Sequence, residues 1–301
     1  MQILNVIGDK HMNNIDDYKS FLLKKGKSEN TVYAYVTDVN IYLRFLKREN
    51  IDLYTSDKLT LMHYFQNLIN LGKSEKSVTR VVISLRSFYT YLKEKGLVKD
   101  VPKMEFKGSS DEKLPQILTV EEVDKIIRIV DKSDSKGMRD NALLELMYAT
   151  GMKVTELIEL NVEDINLDLN YVKCKDSKKL ERIIPIGRSA SKALAEYLKV
   201  RTKIAESGVS NLFVNLNGNK LTRQGIWRIV KEYAYKAEIE KDVCLNTFRH
   251  SFAVHLLQNG ANVRAVQKLL GNQVLTYMDT YYEIMNNTRV DDVYMHTHPR
   301  A

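Results

Sequence analysis

Hydrophobic residues between positions 15 and 107 recur every three or four places, which is the spacing of one helix face. The pattern predicts four amphipathic helices, over about 15–26, 28–46, 61–71 and 74–95. In the fourth, Val78, Leu85 and Leu92 are among the positions expected to face inward, whereas Arg80 and Arg86 point elsewhere. Four helices within a hundred residues are typical of a small bundle.

A polar stretch around Gly108 has no apolar period, and we place a domain boundary between residues 108 and 113. Beyond it, Thr119 and Glu122 have the spacing of a capping box, which predicts a helix over about 119–130. A second helix, over 139–150, is stopped by Gly151. Residues 171–175 and 182–186 predict paired strands.

Further helical patterns cover 189–205 and 263–270. Two more helices are predicted between them, one that starts at residue 222 and one that ends at about residue 258. The predicted fold is therefore mainly α with a small β-sheet. Residues 1–108 would form an N-terminal helical domain, and residues 113–301 an α+β domain.

The amino-acid composition indicates which class of molecule the protein binds. The 301 residues carry a formal net charge of +8 and a pI near 9.1, which suits a polyanion such as nucleic acid. No apolar run reaches the roughly 18 residues of a membrane span, and the N-terminus lacks a signal-peptide pattern. Cys174 and Cys244 are the only cysteines and have no metal-ligand spacing, so we expect a cytoplasmic protein without a metal site.

Residues 246–260 read NTFRHSFAVHLLQNG, 269–272 read LLGN, and Tyr281 follows nine residues later. This ordered set resembles the most diagnostic segment of the tyrosine recombinase (phage integrase) family. The string TGMKVTEL at 150–157 resembles that family's first arginine box, and residues 212–222 resemble its short strand and turn. GKSENTVYAY at 26–35 and SVTRVVISLRSFYTYL at 77–92 resemble its helical core-binding domain, which is SAM-like.

Three positions depart from the family pattern. Asn246 and Asn272 stand where the family has histidines, and Lys153 stands where it has its first catalytic arginine, whereas Arg249 is retained. Asparagine can hydrogen-bond an oxygen but cannot take up or deliver a proton. Lysine is a point donor and does not replace an arginine fork. We therefore expect phosphate binding to survive and proton transfer to be impaired.

The resemblance implies a metal-free and cofactor-free phosphoryl transfer. Tyr281 would attack a DNA phosphodiester and form a 3′-phosphotyrosine, with Tyr282 as the rival nucleophile. Arg249, at the start of its predicted helix, would hold the non-bridging oxygens beside the helix N-terminal amides. Lys153 would add a charge. Lys175 would protonate the leaving 5′-oxygen.

Two further lysines are alternatives to Lys175 as the proton donor to the leaving oxygen. The turn between the paired strands is longer than the family's, so Lys178 or Lys179 could reach the site instead of Lys175.

Double-stranded DNA is the implied partner. Arg80 and Arg86 would contact phosphates, while Arg223, Gln224 and Arg228 lie at the start of a helix suited to base edges in a major groove. The resemblance further implies oligomerisation on DNA through the C-terminal tail, with an accessory DNA-bending or element-encoded protein as a possible partner.

We therefore expect DNA strand cleavage and rejoining in site-specific recombination or integration of a mobile element. Three alternatives stay open: a relaxase-like nicking-closing enzyme of a conjugative element, a catalytically inactive DNA-binding protein, and a type IB topoisomerase. Reciprocal exchange, single-strand transfer, binding without cleavage and site-independent relaxation would distinguish them.

Overall fold

The computed structural model describes residues 15–106, 115–176, 180–271 and Tyr281. The chain divides into two compact units, Met1–Glu112 and Lys113–Ala301, which are described separately below. Within the described ranges, the helices are all too short or too polar to cross a bilayer.

Within residues 15–106, the first unit has four α-helices, in agreement with the predicted number, and a short 3-10 helix at Leu53–Thr55. The α-helices are α1 at 15–24, α2 at Glu29–Arg48, α3 at Lys58–Asn70 and α4 at Glu75–Glu94. Side chains of Ser28, Asp57 and Ser74 accept hydrogen bonds from main-chain amides at the starts of α2, α3 and α4. Each cap satisfies one of the amides that a helix leaves unpaired at its first turn.

Aromatic residues fill the core of this unit. Tyr42, Tyr64 and Tyr89 are almost completely buried, and the hydroxyls of Tyr42 and Tyr89 lie 2.9 Å apart in a hydrogen bond. The positions of α4 expected to face inward are buried, including Val78 and Leu85, which confirms the helical period. The hydrogen bond lets two large polar rings pack inside without leaving both hydroxyls unsatisfied.

The second unit has seven helices and a small sheet in the described ranges. In chain order they are α5 Val120–Arg128, α6 Ser135–Thr150, α7 Val154–Glu159, β1 Ile165–Asn166, β2 Tyr171–Lys175, β3 Glu181–Pro185, α8 Arg188–Ile204, α9 Arg223–Lys236, α10 Leu245–Gln258 and α11 Val263–Leu270. The capping box of α5 is present, with Thr119 and Glu122 each bonded to the other's main-chain amide.

The sheet is antiparallel, in the order β1-β2-β3. Val172 and Cys174 of β2 and Ile184 of β3 face the core, because alternate residues of a strand point to opposite faces. Lys175 lies opposite Glu181 at the end of the hairpin, so the predicted pairing of these two stretches is confirmed.

Helix α6 lies at the centre of this unit and packs against α8 and α10. Nearly all of its surfaces are buried, including the charged pair Arg139 and Asp140, whose side chains bond each other. Its start was predicted too late, at residue 139. Asp134 caps it by accepting from the Gly137 amide, so the partly buried Ser135 and Lys136 already belong to the helix rather than to a loop.

The stretch 212–222 was expected to contain a short strand and a turn. In the structure this stretch forms one isolated bridge, between Val214 and Lys220, and no strand, so the prediction of a strand is wrong. The predicted turn is present. Its main chain is joined by a hydrogen bond from the Asn215 amide to the Asn219 carbonyl, and the Asn215 side chain accepts from the amides of Asn217 and Asn219.

Candidate active site

Arg249 is the buried cation around which the site is built. Helix α10 begins at Leu245, which places Arg249 in its second turn with only 8% of its surface exposed. Its Nη1 donates to the carbonyl of Gly151 at 2.7 Å, and its Nη2 donates to the carbonyl of Leu270 at 2.8 Å. The expectation that Arg249 lies at the N-terminal amides of its own helix is wrong, because its guanidinium meets the C-terminal ends of two other helices.

Those two ends explain why a buried arginine is stable here. Helices α6 and α11 both end at glycines in the left-handed conformation, Gly151 at φ 54° and Gly271 at φ 63°. The last carbonyls of a helix lack partners within the helix and carry its partial negative charge. A guanidinium shared between two such ends satisfies carbonyls of both, and glycine permits the tight turns.

Burial lowers the pKa of the Arg249 guanidinium from its ordinary value, and the nearby Glu156 carboxylate and Tyr281 phenol act in the opposite direction. An arginine nevertheless stays protonated in proteins. Arg249 is therefore a permanent positive charge, and a guanidinium is a group that binds phosphate oxygens.

Tyr281 lies beside this cation. Only 1% of its surface is exposed, and its hydroxyl is 2.8 Å from Nδ1 of His250. Burial, followed by the neighbouring Arg249 charge, lowers the pKa of His250 to about 4. The imidazole is therefore neutral at pH 7, and in the tautomer protonated at Nε2 it accepts the hydrogen bond that the Tyr281 hydroxyl donates.

Arg182 and Glu156 form a buried ion pair next to the site, which was not predicted from the sequence. Both guanidinium nitrogens of Arg182 contact the carboxylate, at 3.0 and 2.8 Å. The Arg182 Nε donates to the carbonyl of Leu269, one residue from the carbonyl that Arg249 holds. Burial alone would raise the pKa of the Glu156 carboxyl, but the Arg182 fork lowers it below its usual range.

The two lysines predicted to assist catalysis occupy more open positions. Lys153 is exposed at the start of α7, where its main-chain amide donates to Glu156 at 2.8 Å. Lys175 is half exposed at the end of β2, and its Nζ lies 3.5 Å from the Glu181 carboxylate. Asn272, Tyr282, Lys178 and Lys179 lie outside the described residues.

Asn246 lies in a shallow depression with the start of α9. Arg223, Gln224 and Trp227 line the same depression, and Arg228 is exposed one turn further along that helix. The structure therefore brings Asn246 together with two of the predicted base-reading residues. Trp227 was not predicted, although an exposed aromatic between two arginines is a usable signal for nucleic-acid contact.

The predicted phosphate contacts of the first unit have intramolecular partners as well. Arg80 is half exposed and bonds the buried carboxylate of Asp38 at 2.7 Å. Arg86 is exposed and donates from Nη2 to the carbonyl of Met104 at 3.2 Å. Both side chains retain exposed surface, so their role in DNA binding stays a prediction.

Two missed residues had signals in the sequence. His250 directly follows the retained Arg249, and a histidine at that place is a signal for a group that can exchange a proton. Glu156 is the acidic residue of the TGMKVTEL string, which also holds Lys153, and a glutamate there is a signal for an ion pair.

Family models match nearly the whole chain. The phage integrase family matches residues 116–287, and the N-terminal SAM-like domain of phage integrases matches residues 15–96. The chain belongs to the phage integrase family of tyrosine recombinases.

Two tyrosine recombinases align with this chain over nearly their whole length. Tyrosine recombinase XerD of Staphylococcus haemolyticus (strain JCSC1435) is 39% identical over 292 residues, covering 95% of this chain and 99% of the relative. Tyrosine recombinase XerD of Listeria innocua serovar 6a is 38% identical over 294 residues, covering 95% and 99%.

Solved structures share the fold. XerH site-specific recombinase bound to palindromic difH substrate, a post-cleavage complex, has a TM-score of 0.76 at 19% identity, covering 92% of this chain and 84% of that one. A lambda integrase dimer bound to a COC′ core site has a TM-score of 0.70 at 17% identity, covering 90% and 94%. The predicted fold class, a helical SAM-like domain followed by a recombinase catalytic domain, is confirmed.

Proposed function

We propose that this protein cleaves and rejoins double-stranded DNA at specific sites through a 3′-phosphotyrosine formed by Tyr281. The observation that carries the proposal is the convergence of the Tyr281 hydroxyl with the buried Arg249 guanidinium and His250. Membership of the tyrosine recombinase family and similarity to XerD proteins support site-specific recombination as the biological outcome.

In the proposed reaction, the Tyr281 oxygen attacks the phosphorus and the 5′-oxygen leaves. Arg249 holds non-bridging oxygens and stabilises the charge that develops on them. Lys175 protonates the leaving oxygen, which requires its half-exposed ammonium to turn from Glu181 toward the DNA. The phosphotyrosine keeps the energy of the phosphodiester, so a 5′-hydroxyl of a second strand can reseal it.

The three substituted positions lower the rate of DNA cleavage that we expect. Lys153 offers one charge where a fork would bind two oxygens, and Asn246 and Asn272 can only hydrogen-bond. Loss of a single transition-state donor costs about 10²-fold or more in rate. We therefore expect slow but measurable cleavage.

The exposed polar and cationic side chains are the groups that we expect to contact DNA. Arg223, Gln224 and Arg228 on α9 would read base edges, and Arg80 and Arg86 would bind phosphates. Assembly of several protomers on DNA through the C-terminal tail, an accessory DNA-bending or element-encoded protein, and the assignment of the DNA to a mobile element stay predictions.

The test begins with the DNA site. Duplexes that bind the protein are selected from a random pool, and the enriched sequence is built into a nicked duplex that traps the covalent intermediate. A protein–DNA adduct on a denaturing gel that is lost in Tyr281→Phe and kept in Tyr282→Phe is the expected result. Loss only in Tyr282→Phe would move the nucleophile by one residue.

Two other outcomes would replace the proposal. Specific binding without an adduct would indicate a DNA-binding protein with an inactive site, which the three substitutions would explain. An adduct with single-strand transfer but without reciprocal exchange between paired sites would indicate a nicking-closing enzyme.

A further inference from the structure

The nucleophile of the proposed reaction needs a group that can take its proton. The phenol of tyrosine has a pKa near 10, so at neutral pH it reacts only if a base removes that proton. The positions at which the family has histidines hold Asn246 and Asn272 in this chain, and an amide cannot act as a base. The proton acceptor must therefore lie elsewhere.

His250 occupies the required place. Its Nδ1 lies 2.8 Å from the Tyr281 hydroxyl, which is within hydrogen-bond reach, and the two rings meet at an interplanar angle of 61°. His250 directly follows Arg249 on α10, so one turn of helix carries both the phosphate-binding cation and a group able to accept a proton. The distance satisfies the geometric criterion for a general base, and a neutral imidazole is a group that can take up a proton.

We propose that His250 is the general base that accepts the Tyr281 proton during strand cleavage, an inference that rests on the proposed function. As the Tyr281 oxygen bonds to phosphorus, its O–H bond breaks and the proton passes to His250 Nδ1. The bond from phosphorus to the 5′-oxygen breaks, and that oxygen takes a proton from Lys175. On rejoining, the imidazolium returns the proton to the tyrosine as it leaves, and the incoming 5′-hydroxyl gives its proton to Lys175.

The charges around His250 fit a base that works when DNA is bound. In the structure, burial and the adjacent Arg249 guanidinium keep the imidazole neutral, so its nitrogen is available to accept. A phosphodiester held by Arg249 brings a negative charge to the same place. That charge opposes the effect of Arg249 and favours the imidazolium, so the basicity of His250 increases as the substrate enters.

A purely positioning role is the competing explanation, because a hydrogen bond could hold the Tyr281 ring without moving a proton. Glutamine separates the two roles: its carbonyl can accept the same hydrogen bond, but it cannot take the proton. Helix α10 also supplies a matched control. His255 makes an equivalent bond, with its Nδ1 2.8 Å from the hydroxyl of Tyr148, and its burial likewise lowers its pKa.

The experiment measures single-turnover adduct formation by wild type, His250→Ala, His250→Gln, His255→Gln and Lys175→Ala. Each is assayed on two substrates that carry oxygen or sulfur at the bridging 5′ position. A thiolate leaves without needing a proton, so sulfur relieves the need for a general acid but not for a base. Gel-shift affinity for the intact site checks that each variant still folds and binds.

We expect both His250 variants to form adduct about 10²–10⁴-fold more slowly than wild type, equally on both substrates and with unchanged DNA affinity. Lys175→Ala should be slow on the oxygen substrate and restored by sulfur, while His255→Gln stays within a few fold of wild type. This pattern assigns the base to His250 and the acid to a different residue.

Several outcomes would overturn the inference. Near-normal rates in His250→Gln would show positioning only, and rescue of the His250 variants by sulfur would place the residue at the leaving group. Equal losses in His255→Gln would assign the effect to the packing of α10. Failure of wild type to form an adduct refutes the proposed function itself, whereas a wild-type adduct with unimpaired His250→Ala refutes only the base.

Discussion

Replacement of Arg182 by methionine should destabilise the second unit by about 3–5 kcal/mol at pH 7. The Arg182 side chain is 14% exposed and that of Glu156 only 3%, so the carboxylate would stay buried after its partner is removed. Methionine keeps most of the apolar stem, so the packing loss is small and the uncompensated charge dominates. The Leu269 carbonyl also loses the donor that Arg182 supplies.

The effect should depend on pH in a defined direction. In wild type the pKa of Glu156 is lowered, so the pair contributes stability above the unfolded value near 4.3, and this is lost as pH falls through the folded pKa. In Arg182→Met, burial without the fork raises the pKa of Glu156, so protonation relieves the buried charge. The difference in unfolding free energy between wild type and variant should therefore shrink between pH 7 and about pH 4.5.

Trp227 makes the measurement simple, because it is the only tryptophan and lies on α9 in the second unit. Urea unfolding followed by its fluorescence reports on that unit. The double variant Glu156→Gln with Arg182→Met removes both charges and should recover part of the loss. A variant within about 1 kcal/mol of wild type at pH 7, or a difference that is unchanged at low pH, would refute the reasoning.

Three further predictions concern neighbouring residues. Gly151→Ala should lower the free energy of unfolding by about 2–4 kcal/mol in the same urea assay, because alanine is strained at φ 54° and its Cβ would collide with the Phe252 ring; an unchanged midpoint would contradict this. Lys153→Arg should speed adduct formation by about 10²-fold, by restoring a fork, and a slower variant would show that lysine is the better fit. In the native protein at pH 8 only Cys244 should react rapidly with a thiol reagent, because burial raises the pKa of Cys174 to about 12; two fast thiols before denaturation would refute this.

Local signals in the sequence predict most of the helices correctly. Val78, Leu85 and Leu92 recur at the period of one helix face, and Thr119 with Glu122 satisfies amides within a single turn, so both patterns are complete within a short stretch. The start of α6 does not follow such a pattern. Residues 135–138 read SKGM, whose polar side chains and glycine suggest a loop, although the Gly137 amide donates to the capping side chain of Asp134.

The contacts within the site could not be predicted in the same way, because they join distant parts of the chain. Tyr281 is 31 residues from His250, and Arg182 is 26 residues from Glu156. The family pattern identifies residue types at matching positions. It does not identify His250 as part of the site, because this residue meets Tyr281 only when the chain folds.

The carbonyls that hold Arg249 affect which amino-acid substitutions the site can tolerate. Two of its contacts end on the main chain, at Gly151 and Leu270, and a main-chain carbonyl is present whatever side chain a residue carries. Substitutions among neighbouring side chains therefore leave these two acceptors in place. Substitution at the positions of Lys153, Asn246 and Asn272 therefore leaves both main-chain anchors of the guanidinium in place, so a site of this kind can lose two proton-transfer groups and one arginine fork while Arg249 keeps its position.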